Sequence, residues 1–328
     1  MPGKRVCGAL VTLALAGCVS PTVSTLATAG READEVARLF WVMLAGALLV
    51  WAAVVGIAVH ATLRPRRHRE RVGHWLVIGG GFAVPTLVLG VLLFHGLQMM
   101  PRLREAGTRP SARVEVSGEQ WWWRVRYSGY GSDAAIVLAN EIRLPVGERT
   151  ELLLDSPDVI HSFWIPELGG KVDMIPGRTT RLVLEPTRAG VFRGICAEFC
   201  GTSHAYMQFA AVAMERDAFD AWLRHQASPA RAPWSAAART GRSAFLRHGC
   251  GACHAIRGTP ARGATGPDLT HVGSRLTLGA GVVDNDPGGF RNWIERTHLL
   301  KPEVLMPTFG MLPEAEVEAM ALYLDGLE

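Results

Sequence analysis

CAEFCGTSHAYM, residues 196–207, carries two cysteines, a histidine and a methionine within one short segment. In an exported chain such a cysteine pair is expected to oxidise to a disulfide. His204 and Met207 follow at once, however, and add a borderline and a soft metal donor to the two sulfurs. The surrounding sequence has to decide between a covalent staple and a metal site.

Outward from this segment the pattern is that of strands. ARVEVSGEQWWWRVRY, IVLANEIRLPVGERTELLLDS and RTTRLVLEP alternate in polarity or are rich in β-branched and aromatic residues. Gly, Pro, Asp and Asn interrupt them at short intervals, which predicts a β-sandwich or barrel. The strand pattern ends near Arg224, and ASPARAPWSAAA, residues 227–238, reads as an Ala/Pro-rich linker. Beyond it the apolar residues recur at helical spacing, and Pro313 and Glu314 suit the first turn of a final helix.

Towards the N-terminus the chain becomes strongly apolar. Lys4 and Arg5 precede a short apolar run, so residues 1–18 read as an export signal. Leu15-Ala16-Gly17-Cys18 resembles a bacterial lipoprotein box, which makes Cys18 the expected lipidation site. Val36–Leu63 and Val72–Met100 each exceed the roughly 20 residues a helix needs to cross the hydrocarbon core. The connection between them, RPRRHRER, holds five arginines and is assigned to the cytoplasmic side by the positive-inside rule. Everything after Met100 then lies outside the cytoplasmic membrane. The formal net charge of the 328 residues is +4, with no basic stripe of the kind that binds nucleic acid.

His161, in DVIHSFWIP, is the remaining donor of the strand-rich region. Histidine, cysteine and a weak methionine form the copper set of electron-transfer sites in β-sandwiches. A mononuclear centre of that kind uses one cysteine, and here there are two. Two thiolates four residues apart suit two bridged copper ions, each with one histidine.

The stretches GEQWWWRVRY, SPDVIHSFWIPELGGKVDMIPGR and CAEFCGTSHAYM together resemble subunit II of the haem–copper cytochrome c oxidases, from the hairpin through Met214. The resemblance implies a cupredoxin-like β-sandwich with a dinuclear CuA centre. Cys196 and Cys200 would bridge the coppers, with His161 and His204 as terminal ligands. Met207 would be a weak ligand and Glu198 would contribute its backbone carbonyl. The Glu198 side chain is implied to face a magnesium site shared with subunit I, and Trp121 to be the point of electron entry. Trp122 and Trp123 read equally well as core. Family members commonly carry histidine where Glu119 stands. Many also carry a glutamate at the position of Val72 that feeds a proton path; here either Glu70 or a subunit I residue replaces it, or that feed is absent. The quinol-oxidising relatives lack the copper ligands.

CGACH, residues 250–254, is the haem c attachment pattern: Cys250 and Cys253 for the thioethers, His254 for the proximal nitrogen. Met306, in LMPTF, is the expected distal ligand, as in small cytochromes c, with Met311 as its rival and Met320 assigned to the core. GPDL, residues 266–269, resembles the loop that packs beside the proximal histidine. A methionine opposite histidine raises the haem potential, which suits transfer towards oxygen.

The expected architecture is a multidomain membrane protein. It comprises a signal peptide with lipobox (1–18), an N-terminal segment and two-helix hairpin (19–105), a CuA domain (106–226), a linker (227–238) and an all-α class I cytochrome c domain (239–328). This order of parts resembles the fused subunit II and cytochrome c of some bacterial oxidases. The implied role is electron entry to a proton-translocating oxidase, from haem c to CuA and on to the oxygen-reducing site of subunit I. Subunit III and an upstream quinol–cytochrome c reductase or soluble cytochrome c are the further implied partners. Two alternatives stay open: the entry subunit of a CuA-type nitric oxide reductase, and a membrane-anchored copper- and haem-binding protein without an enzyme partner.

Overall fold

The computed structural model describes residues 23–63, 70–104, 112–129 and 135–328. Cys7, Cys18 and the arginines from Arg64 to Arg69 lie outside the described residues. The chain divides into two bodies, residues 34–108 and the remainder.

The first body is helical. Helix α1 (Arg31–Leu63) starts ahead of the apolar run, at Arg31 rather than Val36. The second span combines α2 (Glu70–Trp75), a π-helical stretch over Leu76–Ala83 that contains three consecutive glycines, and α3 (Val84–Arg104). Both spans are long and apolar enough to cross a membrane. Their apolar side chains, such as Trp51, Phe82 and Leu93, face outward, an arrangement that suits hydrocarbon surroundings and would be costly in water.

In the second body ten strands form two five-stranded sheets. β1 (Ala112–Glu119), β2 (Trp122–Tyr127), β3 (Ile136–Ala139), β5 (Thr150–Asp155) and β8 (Thr180–Leu184) pair in the order β3-β2-β1-β5-β8. β4 (Glu141–Pro145), β6 (His161–Trp164), β7 (Val172–Met174), β9 (Gly190–Cys196) and β10 (Gln208–Met214) pair in the order β4-β10-β9-β6-β7. The alternation read from ARVEVSGE becomes inward Ala112, Val114 and Val116 against outward Arg113 and Glu115. Between the sheets Trp123, Phe163 and Phe209 form one aromatic cluster. Phe163 stacks on Phe209 at 4.6 Å between centroids and meets Trp123 edge-on at 5.6 Å. Trp123 is thus core, while Trp122 is half-buried with the Arg124 guanidinium over its ring.

Residues 23–33, which include the first turn of α1, belong to this second body. Ala29 is fully buried, donates to Glu167 O and accepts from Thr187 N, and the Glu32 carboxylate accepts from Glu185 N. The polar start of α1 is therefore fixed by the β-sandwich, which is why hydropathy alone misplaces it.

After β10, helix α4 (Arg216–Ala227) closes the sandwich, with Phe219 and Leu223 buried beneath it. Helix α5 (Ala236–Arg247) opens the last domain, capped by Ser235 Oγ accepting from Ala238 N. α5 crosses α7 (Glu314–Asp325) at Gly241, where a Cβ would meet Ala319 O at 1.9 Å. α6 (Pro287–Leu300) and the short hairpin β11 (Thr277–Leu278)–β12 (Val283–Asp284) complete the domain. The Ala/Pro-rich connection between α4 and α5 is docked: Ala230 N donates to Arg257 O, and the His271 ring bonds Ser228 O.

Gly194 on β9 faces the ring of Phe209, and a Cβ there would lie 2.0 Å from the ring. Gly194→Ala is expected to destabilise the β-sandwich by about 1–3 kcal/mol through overpacking. Denaturant unfolding of the full chain, followed by tryptophan fluorescence, measures it.

Candidate metal centres

The loop 197–206 is closed at its base by backbone pairing. Cys196 N donates to Met207 O at 3.0 Å where β9 ends and β10 begins. This hydrogen bond sets Cys196 and Met207 side by side and folds the residues between them into a compact turn. Gly201, at φ +117°, makes that turn where an L side chain is strained. β6 supplies the donor that is distant in sequence. Phe163 pairs with Cys196 across β6 and β9, which brings His161 to the same end of the sheet.

The donors converge. The Cys196 and Cys200 sulfurs lie 3.8 Å apart, well beyond the roughly 2.05 Å of a disulfide bond. His161 Nδ1 is 3.9 Å from Cys196 Sγ, and His204 Nδ1 is 3.5 Å from Cys200 Sγ. Met207 Sδ is 3.8 Å from Cys200 Sγ, and Glu198 O is 3.2 Å from Cys196 Sγ. Every donor expected from the sequence is in this cluster, and both cysteines, His161 and Met207 are buried. The Glu198 side chain and Phe199 point outward, with Phe199 against the His204 ring.

The chemistry of the set fits a soft, borderline metal such as copper. The hydrogen bond between the two thiols, with burial opposing and His161 assisting, pulls Cys196 down to about 4. The same thiol–thiol bond, with burial, pushes Cys200 strongly up. Two buried thiolates this close repel, so both ionise only when a cation lies between them. Burial disfavours the His161 imidazolium, but its bonds to Cys196 and Asp158 outweigh that and raise it.

Asp158 was not singled out by sequence reasoning. Its Oδ1 lies 2.8 Å from His161 Nε2, and its Oδ2 accepts from Gln120 N at 2.7 Å. Burial alone would raise this carboxyl, yet the N–H groups of Gln120 and Val159 and the His161 ring hold it low. The ionised carboxylate therefore accepts a hydrogen bond from Nε2–H and leaves Nδ1 free towards the sulfurs. The available signal was a carboxylate three residues before a candidate ligand histidine. Trp121 is buried beside the same loop, and its indole Nε1 donates to Cys200 O at 3.0 Å.

In the last domain, a helical turn over Cys250–Ala252 begins the CGACH segment. His254 Nδ1 bonds Pro267 O at 2.8 Å, so the GPDL loop fixes the tautomer and frees Nε2. Burial lowers the His254 pKa and keeps the ring neutral, as an axial ligand requires. Gly266 lies so close that a Cβ would meet the ring at 2.7 Å. Met306 is half-buried against the domain core, Met311 is 77% exposed, and Met320 is inside the core on α7. A covalently held haem fits this set: two free thiols, a neutral oriented imidazole and a half-buried methionine at the edge of the core.

Known proteins resemble this chain over nearly its whole length. Residues 112–214 match the family model for the periplasmic domain of cytochrome c oxidase subunit II, and residues 238–328 match the cytochrome c model. Cytochrome c oxidase subunit 2 of Alkalihalophilus pseudofirmus is 37% identical over 246 residues, 75% of this chain and 68% of that protein. The subunit 2 of Bacillus subtilis is 31% identical over 350 residues, 98% of this chain and 96% of that protein. Among solved structures, the periplasmic domain of subunit II of cytochrome oxidase from Bradyrhizobium japonicum is 29% identical. It covers 36% of this chain and 94% of its own, with a TM-score of 0.34.

Asp158→Asn removes the carboxylate that orients His161. Copper affinity of the full chain, measured by competition with a chelator, is expected to fall about 10–100-fold without loss of folding.

Proposed function

The chain belongs to the subunit II family of the cytochrome c oxidases, and from that premise we propose that it is the electron-entry subunit of its complex. A subunit II is part of an oxidoreductase complex whose oxygen-reducing haem–copper subunit I is its partner. The cytochrome c domain speaks for haem and the subunit II domain for copper. The observation that carries the proposal is the meeting of five donors, His161, Cys196, Cys200, His204 and Met207, beneath a docked cytochrome c domain.

On this reading His161, Cys196, Cys200, His204, Met207 and the Glu198 carbonyl hold a dinuclear copper centre. Cys250, Cys253, His254 and Met306 hold haem c. When bound, both groups supply one-electron redox chemistry at fixed positions. The protein's own part is orientation and exclusion of water. Asp158 and Pro267 O fix the two histidine tautomers. The buried sulfurs keep solvent from the copper ligands. Trp121 is the proposed entry residue, since its indole bonds the carbonyl of a bridging cysteine. A second connection runs from the Met306 loop through Pro302 O to Ser203 Oγ at 2.6 Å, one residue from His204. Electrons are proposed to pass from haem c to copper and then to subunit I, which reduces oxygen and translocates protons.

The two apolar helices and the periplasmic-type domain fit a membrane-anchored protein. We place both metal domains on the external face. The arginine-rich connection between the spans favours the cytoplasm, and the opposite end of α1, with the residues just before it, packs on the β-sandwich. Cleavage of the export signal, lipidation of Cys18, magnesium at the exposed Glu198 carboxylate, a subunit III partner and an upstream cytochrome c or quinol–cytochrome c reductase complete the proposal.

Copper content and paramagnetic resonance of the full chain test the dinuclear centre. Two coppers per chain are expected, with one electron shared between two copper nuclei, and Cys196→Ser should abolish that signal. One copper per chain, or a mononuclear hyperfine pattern, contradicts the proposal. For the haem, Met306→Ala should remove the sulfur-to-iron absorption band at the red end of the oxidised spectrum. Met311→Ala should leave that band in place.

A further inference from the structure

Lys301 follows the last residue of α6 and is 2% exposed, an uncommon state for a lysine. Its Nζ donates to Trp121 O at 2.7 Å, to Tyr206 O at 2.7 Å and to Gly279 O at 2.8 Å. An ammonium has three donors and no acceptor, so three carbonyls from three separate segments satisfy it completely. Two of them belong to the β-sandwich: Trp121, and Tyr206 between His204 and Met207. The third is at the turn of the β11–β12 hairpin. Burial pulls this ammonium down to about 7, a cost that the carbonyl cage offsets.

The residues after Lys301 continue along the same loop. Pro302 O accepts from Ser203 Oγ at 2.6 Å, and the Glu303 carboxylate accepts from Thr202 Oγ1 at 2.6 Å. Val304 packs against the core of the β-sandwich. Residues 301–304 thus lie along residues 202–206, and Met306 comes two residues later. The segment that carries the expected distal haem ligand is stitched to the segment that carries His204 and Met207.

We propose that Lys301 is a positioning residue for electron transfer: its side chain crosses the seam between the two metal domains and holds the Met306 loop on the copper-ligand loop. This inference rests on the haem-to-copper route proposed above. The reasoning is thermodynamic. When the domains separate, water satisfies the carbonyls of Trp121 and Tyr206. When they dock, the lysine donors take that place. A side chain without donors therefore penalises the docked state alone and shifts the population towards the open one. Net charge is a poor substitute, since residues 239–328 carry 9 Lys/Arg and 10 Asp/Glu.

The test uses the full chain with copper and haem loaded, and the variants Lys301→Met, Lys301→Gln and Glu303→Gln. Rapid photoreduction of the haem, followed at both centres, gives the transfer rate. In Lys301→Met the rate should fall about tenfold or more, as expected for losing charge-assisted hydrogen bonds. It should also become viscosity-dependent, because redocking now limits it, while both metal spectra stay unchanged. Amide exchange in the metal-free chain should rise over 202–208 and 276–282 and stay constant in β1 and β5. Lys301→Gln, which keeps two donors, should be intermediate, and it serves alone if Lys301→Met fails to fold. Glu303→Gln, at the exposed rim, should change the rate by less than about threefold. An unchanged rate and unchanged exchange in the lysine variants overturn the proposal, as does an equal loss in Glu303→Gln. If the unsubstituted chain shows no haem-to-copper transfer, the route itself fails; if it transfers and Lys301→Met matches it, only the latch does.

Discussion

The backbone hydrogen bond from Cys196 N to Met207 O is the constraint on which the geometry of the donor cluster depends. It closes the loop between β9 and β10, and loop closure is what turns a run of donors into a site. Without it, the four donors of CAEFCGTSHAYM would be spread along an open chain. With it, two sulfurs, an imidazole and a thioether face one point. The fifth donor arrives through sheet register: because Phe163 opposes Cys196, His161 must lie at the same edge. A slip of one residue would turn His161 to the opposite face of its sheet. The aromatic cluster of Trp123, Phe163 and Phe209 resists that slip, since each ring occupies space that a shifted register would vacate.

Electrostatics then gives the site its character. Two buried thiols, one easily ionised and the other held back, are poised for a cation. The two histidines present Nδ1 to the sulfurs, and Asp158 sets the tautomer of His161. Asp158 also accepts from Gln120 N, next to Trp121. One carboxylate thereby couples the orientation of a ligand to the strand end that carries the proposed entry residue. The haem side repeats the device with a neutral acceptor, Pro267 O, which suits a ring that burial already keeps uncharged.

Much of this was legible in the sequence, for identifiable reasons. Alternating polarity survives as the inward and outward faces of β1, because one side of that sheet is buried. The CGACH and CAEFCGTSHAYM donors are legible because metal chemistry restricts both residue type and spacing. The start of α1 was not legible, since its first residues are polar and held by contacts with a distant domain. The Ala/Pro-rich connection looks like free linker by composition, yet its backbone groups find partners on the last domain, which only tertiary structure reveals. Lys301 gave no signal at all. Lysine is usually solvated, and nothing in HLLKPEVLM marks carbonyls on another domain as its acceptors.

On the proposed haem-to-copper route, fusion of a carrier domain to its acceptor changes what docking has to do. A diffusing partner needs long-range attraction to find its site, and such attraction is screened by salt. A tethered partner is already present at high effective concentration. The contact can then be built from short, directional bonds that act only at the end of the approach. The seam fits that description. Gln208 N donates to Ala280 O, Ser203 and Thr202 donate to the loop after α6, the buried Glu141 carboxylate accepts from Leu276 N, and the buried Lys301 ammonium is met by carbonyls. Such a seam tolerates little misplacement, because a buried carbonyl that loses its donor carries the cost of an unmade bond. Registration of the two metal loops follows from that intolerance. A distance between redox centres is kept constant most economically where every alternative docking leaves buried polar groups unsatisfied.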